Sequence, residues 1–151
     1  MASKIEERAE RGPDGALLVL SAPSDHRVVE ELTDRVYAFL APLRLGRKAT
    51  YRLKMAIHEA VSNAVEHGNR CDPAKRVTVT CRAAADRLCI AVEDQGRGFD
   101  PAAVPDPTRE ENRLREGGRG VFLIKRYCDE CHFEKGGRRV VIIKKLKEPG
   151  K

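Results

Sequence analysis

The chain has 151 residues, enough for one domain with a real core. Its 41% apolar and 34% charged residues exclude a disordered polymer, and no apolar run reaches the roughly 20 residues a membrane-spanning helix needs. The net charge of +6 comes with only 5% aromatics and no Trp, so stacking platforms for nucleic acid are scarce; no direct nucleic-acid partner and no membrane are expected, and an acidic protein partner accounts for the charge equally well.

Residues 1–14 are polar and end in Gly12-Pro13-Asp14-Gly15, which reads as a flexible N-terminus and a turn. The first eight residues lack the apolar core of a signal peptide, so a cytoplasmic location is expected. Ala16–Leu20 is a short apolar run and a predicted strand. A helix follows, with Ser24 or Asp25 as its cap and Val28, Val29, Leu32, Val36, Phe39 and Leu40 at helical spacing. A second helix is predicted from about 48 to 67, with Leu53, Ala56, Ile57, Ala60, Val61 and Ala64 as its apolar stripe and Gly68-Asn69 as its end. Val77–Cys81 and Leu88–Val92 read as two strands, close enough to be antiparallel neighbours.

From Asp94 to Gly120 the apolar period disappears, and Gly, Pro, Asp, Glu and Arg dominate. A loop this long inside a compact domain is more often a lid or binding loop than plain linker. A buried helix from Val121 to about Cys128 and two strands, 131–135 and 139–146, close the chain; Gly136-Gly137 between the strands marks a hairpin. The expected architecture is a two-layer α/β sandwich, a mixed and mostly antiparallel sheet covered by helices on one face. The five cysteines are odd in number, and Cys128-Asp129-Glu130-Cys131 lacks the second pair of a zinc site, so most of these thiols are expected in or near the core as small apolar groups.

Three segments carry candidate chemistry. In Glu59-Ala60-Val61-Ser62-Asn63-Ala64-Val65-Glu66-His67, the side chains of Glu59, Asn63 and His67 fall four apart on one helical face. A carboxamide oxygen there, with phosphate oxygens and waters, satisfies Mg²⁺, and leaves Glu59 free as a base; the same pattern also fits a solvated polar face. In Glu93-Asp94-Gln95-Gly96-Arg97-Gly98, a carboxylate ends a strand and two glycines let the backbone approach a ligand, although turns use the same residues. In Gly117-Gly118-Arg119-Gly120-Val121, a glycine-rich loop runs into a helix, which suits phosphate; a plain turn before a helix also fits. It is neither a Walker A loop nor a dinucleotide fingerprint.

In this order, E-x-x-x-N, D-x-G-x-G and the glycine run resemble the N, G1 and G2 boxes of the Bergerat (GHKL) ATPases, which include gyrase, heat-shock chaperones, histidine kinases and mismatch-repair ATPases. The resemblance covers about residues 24–146. Within that superfamily the chain is most similar to short anti-sigma serine kinases, on its length, its short lid and the run Gly117–Ile124 followed by Asp129-Glu130. The resemblance implies an ATP-binding kinase domain over residues 15–147. It implies Glu59 as general base, Asn63 as Mg²⁺ ligand, and Asp94, Gly96 and Gly98 around adenine. Gly118, Arg119, Gly120 and Val121 would lie at the phosphates, under a lid at 101–116 in which Arg109, Arg113 and Arg115 are further candidates. It implies phosphorylation of a serine on an anti-sigma-factor antagonist of the STAS type, capture of a sigma factor, and a homodimer. Arg138 stands where many relatives hold adenine with Thr, which puts that contact in doubt, and Arg119 stands where histidine kinases commonly have Leu. The competing readings are an ATP-dependent binding module without catalysis and the catalytic part of a split histidine kinase.

Overall fold

The structure, a computed structural model, describes residues 4–98 and 118–146. Six strands form one sheet in the order β1-β2-β3-β4-β6-β5, with every pairing antiparallel: β1 Glu6–Gly12, β2 Gly15–Pro23, β3 Arg76–Ala83, β4 Arg87–Glu93, β5 Glu130–Glu134 and β6 Arg139–Lys145. Three α-helices accompany it: α1 Val28–Leu40, α2 Arg47–Ser62 and α3 Gly118–Tyr127. This is the expected α/β sandwich.

Period-two burial builds the sheet's inner face. Leu18, Leu20 and Ala22 of β2, Val77, Val79 and Cys81 of β3, Leu88, Ile90 and Val92 of β4, and Val140 and Ile142 of β6 are buried in one cluster with the helices. α2 lies between α1 and α3. All six residues of its predicted stripe are buried, and Val65 joins them. On α1, Val29, Leu32, Val36, Phe39 and Leu40 are buried as expected, while Val28 only packs against the margin. The other sheet face carries a small cluster of Ala91, Val141 and Ile143 with Cys89 beside it.

Four local readings change. Residues 6–12, expected as part of a loose start, form β1, paired along its length with β2 from Glu6↔Ser21 to Gly12↔Gly15. All seven residues of β1 are exposed, so backbone pairing at a sheet edge holds the strand without apolar alternation. Neither predicted cap serves α1. The helix begins after Arg27 without a side-chain cap; Asp25 accepts from the Arg27 N–H at 2.9 Å, and Ser24 is buried in a polar cluster instead. The second predicted helix is α-helical only to Ser62, and Asn63–Gly68 is a π-helical turn. The glycine segment expected as a loop is helical from Gly118.

Burial of the thiols raises their pKa: Cys81 and Cys128 to about 12 and Cys131 to about 11. They are neutral at pH 7 and behave as apolar groups, whereas Cys71 is exposed. Among the described residues no three His, Cys, Asp or Glu side chains cluster as a metal site.

Ile57 is fully buried on the inner stripe of α2. Ile57→Ala is expected to cost about 2–5 kcal/mol in urea unfolding, whereas Tyr51→Ala, at a side chain 62% exposed on the same helix, is expected to stay within about 0.5 kcal/mol.

Candidate nucleotide site

Helix α2 and the π turn after it carry the first set of candidates. The Asn63 N–H reaches the Glu59 and Ala60 carbonyls, so Glu59 and Asn63 keep α-helical spacing and share a face. Both are partly exposed. Among the described residues the Asn63 side chain has no hydrogen-bond partner, leaving its carboxamide oxygen available as a hard ligand. Beyond Asn63 the i→i+5 bonding of the π turn widens the helix, with the Asn69 N–H on the Ala64 carbonyl at 2.9 Å. The π turn replaces the α-helical spacing predicted for His67, which is exposed.

Asp94 follows the last residue of β4. Its N–H donates to the Arg138 carbonyl at 2.8 Å, tying the loop to the start of β6. Its Oδ1 accepts from the Gly96 N–H at 2.8 Å, and among the described residues Oδ2 has no hydrogen-bond partner. Burial pushes the Asp94 carboxyl above the usual carboxylate range; the Gly96 N–H and the charges of Arg138 and Lys75 pull the other way, and Glu93 adds to the rise. A half-buried acceptor with one free oxygen fits an amino group of a base.

Packing of glycines joins these two segments. A side chain on Gly68, at the end of the π turn, would overlap the Asp94 carboxylate, and one on Gly96 would overlap the Gly68 carbonyl. Gly98 has φ +78°, and a side chain there would overlap the Gly136 carbonyl beside the Arg138 stem. The α2 end, the Asp94 loop and the turn before β6 therefore meet at contact distance. In the sequence Gly68 marks only a helix end; the residue it abuts lies 26 positions later, so no local signal announces this contact.

Gly118, Arg119, Gly120 and Val121 form the first turn of α3, and α3 packs against α2. The first-turn N–H groups of a helix lack intrahelical acceptors and face outward along the positive end of the dipole, a favourable place for phosphate. The expected lid at 101–116, with Arg109, Arg113 and Arg115, lies outside the described residues. Arg138 is exposed at the turn, with its Nε donating to the Lys135 carbonyl at 3.0 Å.

The histidine kinase-like ATPase domain family matches residues 22–144. The chain is 33% identical to the anti-sigma F factor of Clostridium perfringens over 117 residues, 74% of this chain and 83% of that protein. It is 37% identical over 88 residues to the serine-protein kinase RsbW of Bacillus licheniformis, 54% of this chain and 55% of that protein. With RsbW of Staphylococcus epidermidis it shares 34% over 103 residues, 63% of this chain and 65% of that protein. The chain belongs to the histidine kinase-like (GHKL) ATPase family, a class whose domain binds ATP. Within it, the chain falls among the anti-sigma factors and RsbW-like serine kinases.

Two outcomes are expected. Gly68→Ala should drive its new methyl into the Asp94 carboxylate, costing about 1–3 kcal/mol of stability by overpacking and weakening ATP binding, read by urea unfolding and calorimetric titration. The second concerns pH. Ionised Asp94 is a stronger acceptor for an amino group than the neutral acid, so ATP affinity should fall with decreasing pH through its raised pKa, at a pH above the ordinary 3.8. Asp94→Asn should lack that limb. The stability of the free protein moves oppositely: the Asp94 contribution is fully present below 3.8 and is lost as pH rises through the raised value.

Proposed function

We propose that the protein is an ATP-dependent serine/threonine kinase and anti-sigma factor. It transfers the γ-phosphoryl group of Mg·ATP to a serine of an antagonist protein of the STAS type, and it sequesters a sigma factor, acting as a homodimer in the cytoplasm. The observation that carries the reading is the three-way contact of Gly68, Asp94 and Gly96, which sets the helix bearing Glu59 and Asn63 against the loop bearing a free, half-buried carboxylate oxygen.

In this reading Asp94 Oδ2 accepts a hydrogen bond from the adenine amine. Gly96 and Gly98 let the Asp94 loop pack directly on the Gly68 and Gly136 backbones beside the base, and Gly118–Val121 offer first-turn N–H groups to the phosphates. The Asn63 carboxamide oxygen would hold Mg²⁺, which would supply charge neutralisation on the phosphates. Glu59 takes the proton of the acceptor serine as its oxygen attacks the γ-phosphorus; the bond from that phosphorus to the β,γ-bridging oxygen breaks, and ADP leaves. One helical turn separates base and metal ligand: Glu59 lies in α2 and Asn63 is its C-cap, still bonded in α-helical register, so one continuous helical element carries both. Support for the partners comes from the relatives named anti-sigma F factor and serine-protein kinase RsbW. Phosphorylated antagonist would release the kinase, which then holds the sigma factor.

The test is transfer of radiolabelled phosphate to candidate antagonists. Glu59→Ala is expected to lower transfer by about 10²–10⁴-fold while ATP affinity stays nearly unchanged, and Asn63→Ala to weaken Mg²⁺-dependent ATP binding by about tenfold or more. Nucleotide binding with no labelled serine would favour a binding module. Acid-labile label on a partner histidine would favour a split histidine kinase.

A further inference from the structure

Among the described residues, the fully buried polar side chains include Asn69 and Ser24, and they bond to each other. The Asn69 carboxamide makes three hydrogen bonds: Nδ2 donates to Ser24 Oγ at 2.6 Å and to the Arg76 carbonyl at 3.0 Å, and Oδ1 accepts from the Gln95 N–H at 2.8 Å. Reversing the amide would lose the bonds to the Arg76 carbonyl and the Gln95 N–H, neither of which can change role, so the network itself fixes its orientation. Gln95 adds a return bond, its Oε1 accepting from the Arg76 N–H. One planar group thus ties together the end of the π turn, the end of β2, the start of β3 and the residue directly after Asp94. An apolar side chain of similar size would fill the same space and leave the Gln95 N–H and the Arg76 carbonyl unpaired.

The Gln95 N–H belongs to the peptide group that Asp94 shares with Gln95, so the bond to Asn69 sets the plane of that peptide. Two further contacts then limit the carboxylate: Gly68 against it and the Gly96 N–H on Oδ1. We propose that Asn69 is a positioning residue for base recognition, holding the Asp94 carboxylate where it meets the exocyclic amine and so setting selectivity for ATP over purine nucleotides without that amine. The proposal rests on the role given to Asp94 above. Asn69 touches neither base nor phosphate in it; the residue acts through the Asp94-Gln95 peptide.

The experiment is calorimetric titration of the full chain with ATP and with purine riboside triphosphate, which lacks only the 6-amino group. Wild type should bind ATP the more tightly. In Asn69→Ala, ATP affinity should fall about tenfold and affinity for the amine-free nucleotide should stay nearly constant, so that the selectivity ratio collapses toward one. Ser24→Ala removes one of the three partners and keeps the Gln95 bond; its ratio should fall less, and it decides the matter if Asn69→Ala does not fold. Equal losses for both nucleotides would make Asn69 a packing residue and overturn the proposal, as would an unchanged ratio in folded variants. If wild type itself does not discriminate, the reading of Asp94 falls and takes this inference with it; discrimination in wild type that survives in the variants refutes the inference alone.

Discussion

The site depends on a contact that only glycine permits. The last residue of the π turn lies against a carboxylate on a loop 26 positions later in the chain, and the glycine two residues beyond that carboxylate lies against the carbonyl of the first. Two backbones meet there without intervening side chains. Helix α2 is itself fixed by a fully apolar stripe on the sheet and by its neighbours α1 and α3. The sheet thus aims a helix, the helix end aims a glycine, and the glycine limits where Asp94 can sit. A nucleotide site built this way inherits its precision from the core, which is close-packed and deforms little.

The π turn is part of the same construction. An α-helix continued to residue 68 would bring its C-terminal residues around in steps of 100° each. One wider turn changes that register after Asn63, keeps the α-helical spacing of Glu59 and Asn63, and delivers Gly68 and Asn69 to the Asp94 loop. The helix therefore serves two ends: regular spacing where two side chains must cooperate, and a local departure where the backbone must reach a distant loop.

Much of this fold was legible in the sequence because burial imposes periods. The apolar runs of β2, β4 and β6, the alternation of β3 and the stripe from Leu53 to Ala64 come from side chains that must leave water. The segments read wrongly are those in which backbone bonding, not burial, decides. β1 has seven exposed residues and is held by its pairing with β2, so it leaves no apolar alternation to detect. The π turn uses residues that an α-helix would accept equally well. Gly118 and Gly120 disfavour helix intrinsically, yet their segment is helical where α3 packs on α2, a tertiary override of propensity. Of the candidate site, Glu59, Asn63, Asp94 and Gly96 were visible as spaced motifs. Gly68 and Asn69 were visible only as a helix end, since their partners, Asp94 and Gln95, are remote in sequence.

The most direct measurement is a crystal structure of the full chain with Mg²⁺ and a non-hydrolysable ATP analogue. The account predicts the adenine amine on Asp94 Oδ2, the metal on the Asn63 carboxamide oxygen, the phosphates at the first turn of α3, and the Glu59 carboxylate facing the terminal phosphate. A nucleotide seated elsewhere, or a metal held without Asn63, would contradict it.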